Sequence, residues 1–207
     1  MASGMIACLL CSLTLLSCAR AQAPTNRPYA LFDTGTPPDA FGVDGFDVDA
    51  EQSVGQRFTA SAGGPLSAIH VWLMSNSNGS APLPTVDVAL IAGGVDSPST
   101  APPLETWKGV PVTAAGFAPV EVILNSTLTP DINVGDVMWV VLSSSNAALA
   151  DGVWAWSNAV AWGTTTAGGA WQAGSSGNAA AVTVYAASTP LRAAGRSARA
   201  RGGRRRQ

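Results

Sequence analysis

The stretch Val137-Met138-Trp139-Val140-Val141-Leu142 decides the fold of this chain. All six residues are apolar, and most are β-branched or aromatic, which favours extended backbone. The turn-like residues 133–136 precede the stretch, and the polar residues 143–146 follow it. A short apolar run bounded by turns is typical of a strand buried on both faces. We therefore expect the rest of the protein to be arranged around this strand.

Short segments with alternating apolar residues recur along the chain, separated by turns rich in Gly, Pro, Ser and Asp. They predict further strands at residues 29–33, 53–60, 66–74, 86–91, 104–108, 119–124, 128–132, 153–157, 170–172 and 180–185. Residues 34–51 are rich in Gly, Pro and Asp, and we expect a long loop there. The sequence thus predicts an all-β fold, an antiparallel two-sheet β-sandwich that is jelly-roll-like, as a single domain over residues 22–190.

The first 21 residues have the features of a secretory signal peptide. An apolar run covers residues 5–16, and Ala19-Arg20-Ala21 is a small-x-small cleavage site. The same region also resembles a lipoprotein box that ends at Cys18, which would make this cysteine a lipidated anchor. All three cysteines lie before residue 22, so we expect no disulfide in the mature domain. No later run is long enough for a transmembrane helix, and we expect a secreted or extracellular protein associated with the cell surface.

Charge is divided unevenly along the chain. Residues 22–190 hold three basic and all thirteen acidic side chains, a formal charge of −10, whereas residues 191–207 hold seven arginines and no acid. The Gly- and Ala-rich tail is predicted to be disordered. It is a solvated end, a segment attracted to the acidic body of the same chain, or a tether to an acidic polysaccharide or another anionic surface polymer. Export makes nucleic acid an unexpected partner. The arginines assigned to such a contact are Arg199, Arg201, Arg204, Arg205 and Arg206.

The order of these segments resembles a known family. The matching stretches are Leu31-Phe32, residues 54–59, the strands predicted at 66–73 and 86–91, and Met138-Trp139-Val140-Val141-Leu142-Ser143 followed by Trp154. They are similar to elements of the exported choice-of-anchor β-sandwich domains, which bacterial proteins often carry together with a PEP-CTERM sorting tail. The resemblance implies an extracellular sandwich of undefined activity, with no catalytic residues to carry over. No Pro-Glu-Pro motif and no apolar anchor precede the C-terminal arginines, so the resemblance implies no sorted anchoring.

Tryptophan is the most informative residue type for binding. Trp72 and Trp139 fall in predicted core strands, and we interpret them as packing residues. A second group lies in a region rich in Gly, Ala, Ser and Thr, which we call the Trp-rich end. Rings on a sheet face can stack on the apolar faces of sugars while neighbouring amides bond to hydroxyls. The alternative is that these rings close the end of the sandwich and are buried. The candidate carbohydrate-binding residues are Trp154, Trp156, Trp162, Trp171, Asn158 and Gln172.

Metal binding and catalysis have weaker signals. Asp44, Asp47 and Asp49 are candidate calcium ligands, because Ca²⁺ prefers several oxygen ligands. The Asp-x-Asp-x-Asp-Gly loop pattern is absent, so a solvated acidic loop is the alternative, and we expect no other cofactor. The single histidine, His70, lies within a predicted strand among apolar neighbours, where a packed or edge residue is expected rather than a base. No Gly-x-Ser-x-Gly, His-Glu-x-x-His or phosphate-binding glycine motif occurs, and we expect a protein that is not an enzyme.

These observations favour a secreted, non-catalytic β-sandwich of the cell surface or matrix that binds carbohydrate through its Trp-rich end. A purely structural extracellular or wall protein without a defined ligand is the alternative. A hydrolase built on Glu105, Glu121 and the aspartates is less favoured, because any acidic protein offers pairs of carboxylates. Sparse charge and abundant Ser, Thr, Asn and Gly suit both non-catalytic interpretations.

Overall fold

Two antiparallel sheets make up the computed structural model, which describes residues 27–39, 44–75, 84–112, 116, 118–145, 152–160, 163–167, 170–173 and 178–188. Every regular element within these ranges is a strand, which confirms the prediction of an all-β fold with two sheets. None of the described residues forms a helix long and apolar enough to cross a membrane. The finer jelly-roll arrangement stays a prediction.

The strands are numbered in chain order. They are β1 (Tyr29–Asp33), β2 (Gly45–Val48), β3 (Gln52–Thr59), β4 (Gly64–Ser75), β5 (Thr85–Ala92), β6 (Glu105–Pro111), β7 (Val120–Asn125), β8 (Asp131–Ile132), β9 (Val137–Ser144), β10 (Gly152–Val160), β11 (Gly163–Ala167), β12 (Ala170–Ala173), β13 (Asn178–Ala180) and β14 (Val182–Ala186).

The strand predicted to be central, β9, lies inside a six-stranded sheet of order β12-β11-β3-β9-β5-β6. It pairs antiparallel with β3 on one side and with β5 on the other. Met138, Val140 and Leu142 face the core, and Trp139 is fully buried on the opposite face. The prediction that both faces of this strand are buried is therefore confirmed.

The longest strand, β4, organises the second sheet, which has eight strands. One side of β4 pairs with β14 and, further along, with β10. The other side pairs with β7 and the short β8. β1 extends the sheet beyond β14, and β2 and β13 both pair with β10.

The hydrophobic core fills the space between the two sheets. Because side chains alternate along each strand, every second residue of the paired strands points into this space. Trp154, Leu66, Leu73, Leu90 and Leu142 are among its largest fully buried side chains. Burial of this apolar surface is the main force that holds the sheets together.

Three local differences separate the structure from the sequence prediction. The loop predicted for residues 34–51 is wrong, because β2 forms within it and pairs with β10. Phe46 and Val48 are the buried residues of β2. Two apolar residues among Gly and Asp were too short an alternation to predict this strand from the sequence. The strand predicted at residues 128–132 is reduced to β8, since Thr129 has a φ of 46°. β11 was not predicted, because its Gly-Thr-Thr-Thr-Ala sequence has no apolar alternation. The strand is identified by its antiparallel pairing with β3.

Candidate functional site on the outer face of the eight-stranded sheet

A pocket opens on the face of the eight-stranded sheet that is turned away from the core. Ile69 and Val71 of β4 face the core, so the alternating positions Ala68 and His70 lie on the outer face. Strand pairing brings Tyr185 of β14 opposite Ala68 on one side, and β7 lies on the other. The pocket has a volume of about 310 Å³ and is lined by Pro28, Ser67, Ala68, His70, Ile123, Asn125 and Tyr185.

His70 is held in place from two directions. Its Nδ1 lies 2.7 Å from Oε1 of Glu121, a residue of β7. Because a carboxylate only accepts hydrogen bonds, Nδ1 is the donor, and Nε2 of a neutral ring is left as an acceptor. On the other side the ring contacts that of Tyr185, with centroids 4.7 Å apart and an interplanar angle of 58°. The side chain of His70 is 19% exposed and that of Glu121 is 44% exposed, so the pair is open to solvent.

The walls of the pocket combine apolar surface with a few polar groups. Ile123 is 52% exposed and forms the apolar wall on β7. Asn125, at the end of the same strand, supplies an amide, and its main-chain carbonyl accepts a hydrogen bond from Nε1 of Trp107 at 2.9 Å. Tyr185 supplies both a ring and a hydroxyl. Apolar walls with a small number of placed polar groups are typical of sites for small ligands.

The outer face continues beyond the pocket on both sides. Two residues before Tyr185 in β14, Oγ1 of Thr183 donates to Oδ1 of Asp33 at 2.9 Å, which ties β1 to β14. Two residues after His70 in β4, Trp72 is partly buried and packs against a small cluster of Met74, Val153 and Ala155. Trp72 is therefore a packing residue of the outer face, outside the main core.

The Trp-rich end does not form one surface. Trp154 is fully buried and its Nε1 donates to the Ala181 carbonyl at 2.9 Å, so it is a core residue and the interpretation as a sugar-stacking residue is corrected. Trp156 is partly buried and packs edge-on against Phe46, with centroids 5.6 Å apart. Its Nε1 is buried and has no hydrogen-bond partner within the described part of the chain. Trp162 lies outside the described residues.

Trp171 lies on the outer face of the six-stranded sheet. Its ring is partly buried, with a centroid 6.1 Å from that of Trp139. It covers Gly55, where an added Cβ would lie 2.9 Å from Cζ3 of Trp171. Asn158 and Gln172 are both exposed, but Gln172 follows Trp171 directly in β12 and so points to the opposite face. The candidate residues of the Trp-rich end are therefore distributed over different surfaces.

The three candidate calcium ligands are not gathered into a site. Asp44 and Asp47 are exposed. Oδ1 of Asp49 accepts hydrogen bonds from the main-chain N–H groups of Glu51 at 2.8 Å and Gln52 at 2.7 Å, which closes the turn before β3. No group of three or more His, Cys, Asp or Glu side chains within the described ranges could hold a metal ion. Calcium binding stays a prediction without geometric support in these ranges.

Two further predictions fall outside the described residues. The signal peptide over residues 1–21 is one of them. The other is the Arg-rich tail, with Arg199, Arg201, Arg204, Arg205 and Arg206.

Glu105 is a buried carboxylate with a structural role. Oε1 accepts the main-chain N–H groups of Thr127 at 2.6 Å and Leu128 at 3.2 Å, and Oε2 accepts the Ser126 hydroxyl at 2.5 Å. Burial raises the pKa of Glu105, but these hydrogen bonds outweigh burial and hold the pKa below its ordinary value. The bonds join β6 of one sheet to the loop after β7 of the other, so Glu105 links the edges of the two sheets.

Sequence reasoning placed His70 on a strand but missed the pocket around it. Its bonded partner Glu121 is 51 residues away, and Tyr185 comes from the last strand. Alternation in β4 puts apolar residues on both faces, so the sequence does not tell which face is covered. The sequence of β7 could have indicated which face of the sheet is open, because Glu121, Ile123 and Asn125 alternate there with Val122 and Leu124.

No protein-family model matches the chain, and no curated protein matches its sequence.

Proposed function

We propose that this chain is an exported, non-catalytic β-sandwich that binds carbohydrate in the pocket of the eight-stranded sheet. The observation that carries the proposal is the grouping of Tyr185, His70 and Asn125 around one solvent-open pocket of about 310 Å³. This location replaces the Trp-rich end as the binding surface. The resemblance to choice-of-anchor domains supports export and a cell-surface setting, but offers no ligand.

The chemistry of the pocket suits a sugar ring better than a fully apolar ligand. The Tyr185 ring, tilted against His70, offers a face on which the C–H groups of a sugar can pack. The Asn125 amide can donate to one hydroxyl and accept from another. Glu121 orients the imidazole, so Nε2 of a neutral ring can accept a further hydroxyl. An aromatic face and several hydrogen-bonding groups in one pocket match the apolar faces and the hydroxyls of a sugar ring.

A glycan array followed by affinity electrophoresis in soluble polysaccharides tests this proposal. Tyr185→Ala and His70→Ala should each weaken retention about tenfold, the effect of losing roughly 1.4 kcal/mol of binding free energy. Trp171→Ala is the matched control, because Trp171 lies on the outer face of the other sheet. A far-ultraviolet spectrum and a melting curve establish that each variant folds.

The outcomes separate the alternatives. Loss of retention with Trp171→Ala and not with Tyr185→Ala would return the site to the Trp-rich end. Failure of the wild-type chain to bind any glycan would favour a purely structural wall protein.

A hydrolase is a second candidate, favoured by the pairing of His70 with Glu121. An imidazole oriented by a carboxylate is the arrangement that a general base requires. A screen with ester and glycoside substrates tests it. Activity that Glu121→Gln lowers without a change in melting temperature would support this candidate, and no turnover in the screen would remove it.

The Arg-rich tail is proposed to tether the domain to an anionic surface polymer. Electrostatic tethering of this kind weakens steeply as salt rises, because counterions compete for the same charges. Deletion of residues 191–207 should abolish retention on an acidic polysaccharide column and leave the melting temperature unchanged. Retention that survives the deletion would assign polyanion binding to the folded domain.

A further inference from the structure

Exposed apolar side chains are concentrated at one end of the sandwich. Within the part of the chain that the structure describes, six large apolar side chains are exposed, and two of them, Val120 and Ile123, lie on β7. The other four lie in or beside the turns at one end, which we call the loop end. These are Val95, Leu104, Leu128 and Val134. A single exposed apolar residue is ordinary, but a group of them indicates a contact surface.

Strand pairing places Val95 and Val134 side by side. The main-chain N–H of Gly93, just after β5, donates to the carbonyl of Val137, at the start of β9, at 3.1 Å. The turn at 94–97 leaves β5 at this point, and the turn at 133–136 enters β9 there. Main-chain hydrogen bonds close both turns. Because paired strands lie roughly 5 Å apart, the two turns are neighbours. Val134, at the tip of its turn, is 70% exposed.

Leu104 and Leu128 continue the loop end on the other side of β5. The main-chain N–H of Leu104 donates to the Leu90 carbonyl at 2.8 Å, so Leu104 lies beside the end of β5. The next residue, Glu105, accepts the Leu128 N–H at 3.2 Å and so holds the loop after β7 beside β6. Thr129, which follows Leu128, has a φ of 46°, an unfavourable conformation for a β-branched residue. The fold therefore keeps Leu128 in an exposed turn despite backbone strain.

Both ends of the described domain lie at the loop end. The Tyr29 hydroxyl donates to the Gly63 carbonyl, and the main-chain N–H of Ala187 donates to the Pro65 carbonyl at 2.9 Å. β8, which leads into the turn at 133–136, pairs with the same start of β4. Residues 189–207, with their seven arginines, therefore continue from the end of the domain that carries the exposed apolar side chains.

The opposite end of the sandwich has a different surface. The turn before β3 carries Asp49 and Glu51, and it lies at the opposite end because β3 ends beside Val137. None of the six exposed apolar residues lies in this turn. At the loop end, the seven arginines of residues 191–207 outnumber three aspartates of the turns and of β8. These aspartates are Asp96, Asp131 and Asp136. Apolar surface and positive charge thus meet at one end, and carboxylates lie at the other.

We infer that the loop end docks onto the surface of an anionic lipid bilayer. The four apolar side chains enter the boundary between headgroups and acyl chains, and the arginines of residues 191–207 contact the headgroups. Apolar burial and attraction to anionic lipids are the two sources of binding at a membrane surface. An acidic polysaccharide would also attract the arginines, but it has no apolar layer for the four side chains. The inference does not depend on glycan binding, because none of the four residues lines the pocket.

An environment-sensitive dye at single positions tests the docking. The chain from Gln22 onward keeps every described strand and contains no cysteine, so Val134→Cys and Glu51→Cys each provide one thiol for labelling. With vesicles of phosphatidylcholine and phosphatidylglycerol in equal parts, dye emission at Val134→Cys should shift to shorter wavelength, because the dye enters an apolar layer. Glu51→Cys, exposed at the opposite end, is the matched control and should not respond.

Two results of the dye experiment would overturn the inference. One is an equal response at the two positions, or no response at either. The other is a shift at Val134→Cys that needs no vesicles and grows with protein concentration, since a second copy of the chain would then cover the loop end.

Co-sedimentation with the same vesicles provides the second measurement. Combining Leu128→Ser with Val134→Ser should weaken vesicle binding about tenfold or more, and this loss should persist at high salt because it is apolar in origin. Val120→Ser, a change at an exposed apolar residue of β7, should leave vesicle binding unchanged. Deletion of residues 191–207 should weaken binding most at low salt. Melting curves establish that the variants fold.

The co-sedimentation outcomes separate the partners. Equal vesicle binding by the Leu128 and Val134 double variant and the wild type would overturn the inference. A chain that an acidic polysaccharide retains and vesicles do not would also overturn it, and would assign the arginines to a polymer. Glycan binding in the pocket of a chain that ignores vesicles would still support the proposed function.

Discussion

The outer faces of the two sheets differ in what covers them. On the six-stranded sheet, Trp139 is fully buried although it points away from the core. Nε1 of Trp139 donates to the Gly94 carbonyl at 3.0 Å, the ring of Trp171 lies against that of Trp139, and Arg57 bonds to the Val95 carbonyl above the same face. On the eight-stranded sheet, the equivalent face has His70 and Tyr185 open to a pocket.

A residue's place on a strand does not by itself decide its role. An aromatic ring on the covered face stabilises the fold, because burial removes its apolar surface from water. A ring on the open face is available for a ligand and contributes less to stability. Substitutions on the two faces should therefore separate stability from binding.

The largest effect is expected on the covered face. Trp139→Ala removes a fully buried ring and its hydrogen bond to Gly94, and should lower the free energy of unfolding by about 3–5 kcal/mol. Tyr185→Ala, on the open face, should lower it by less than about 1.5 kcal/mol while glycan retention weakens about tenfold. Urea unfolding followed by tryptophan fluorescence measures both. If the two variants lose similar amounts of unfolding free energy, the two outer faces do not differ in their contribution to stability.

A smaller effect on stability is expected at Glu105, which links the edges of the two sheets. The pKa of Glu105 lies below its ordinary value of 4.5 in the folded protein. A carboxyl group with a lowered folded pKa contributes stability above the unfolded pKa, and that stability is lost as pH falls through the folded value. Glu105→Gln should therefore destabilise the domain by about 1–3 kcal/mol at neutral pH. The difference from wild type should narrow as pH falls below about 4.5, the ordinary value.

Denaturant titrations at pH 7, 5 and 3.5 measure the linkage at Glu105. Glu121→Gln is the control, because the Glu121 side chain is 44% exposed and its pair with His70 contributes little to stability. If the loss of unfolding free energy in Glu105→Gln stays constant down to pH 3.5, the shape of the Glu105 side chain and not its charge stabilises the domain.

The sequence predicted the strands better than the surfaces. The 137–142 stretch was sufficient to place β9 at the centre of a sheet, because apolar residues at every position require cover on both faces. Trp154 and Trp171 look alike in sequence, yet one is in the core and the other is on an outer face. That distinction depends on the register of strands far apart in the chain. The His70 pocket combines residues from β4, β7 and β14, so local patterns could not reveal it.

The contact between Trp171 and Gly55 provides the finest test of the covered face. A Cβ at Gly55 would lie 2.9 Å from Cζ3 of Trp171 and 3.2 Å from Cε3 of Trp139, closer than van der Waals contact allows. Gly55→Ala should therefore displace the Trp171 ring and destabilise the domain by about 1 kcal/mol or slightly more, as overpacking does.

Gly94→Ala is the matched control for Gly55→Ala. The nearest atom to a Cβ at Gly94 is the Ser97 carbonyl oxygen at 4.0 Å, so this substitution has room and should be neutral. Melting curves and tryptophan emission measure the pair, and a shift of emission to longer wavelength is expected only for Gly55→Ala, because displacement exposes the ring to water. An unchanged emission spectrum and melting temperature for Gly55→Ala would mean that Trp171 is not held against the sheet, and Trp171 would then regain its place as a candidate sugar-stacking residue.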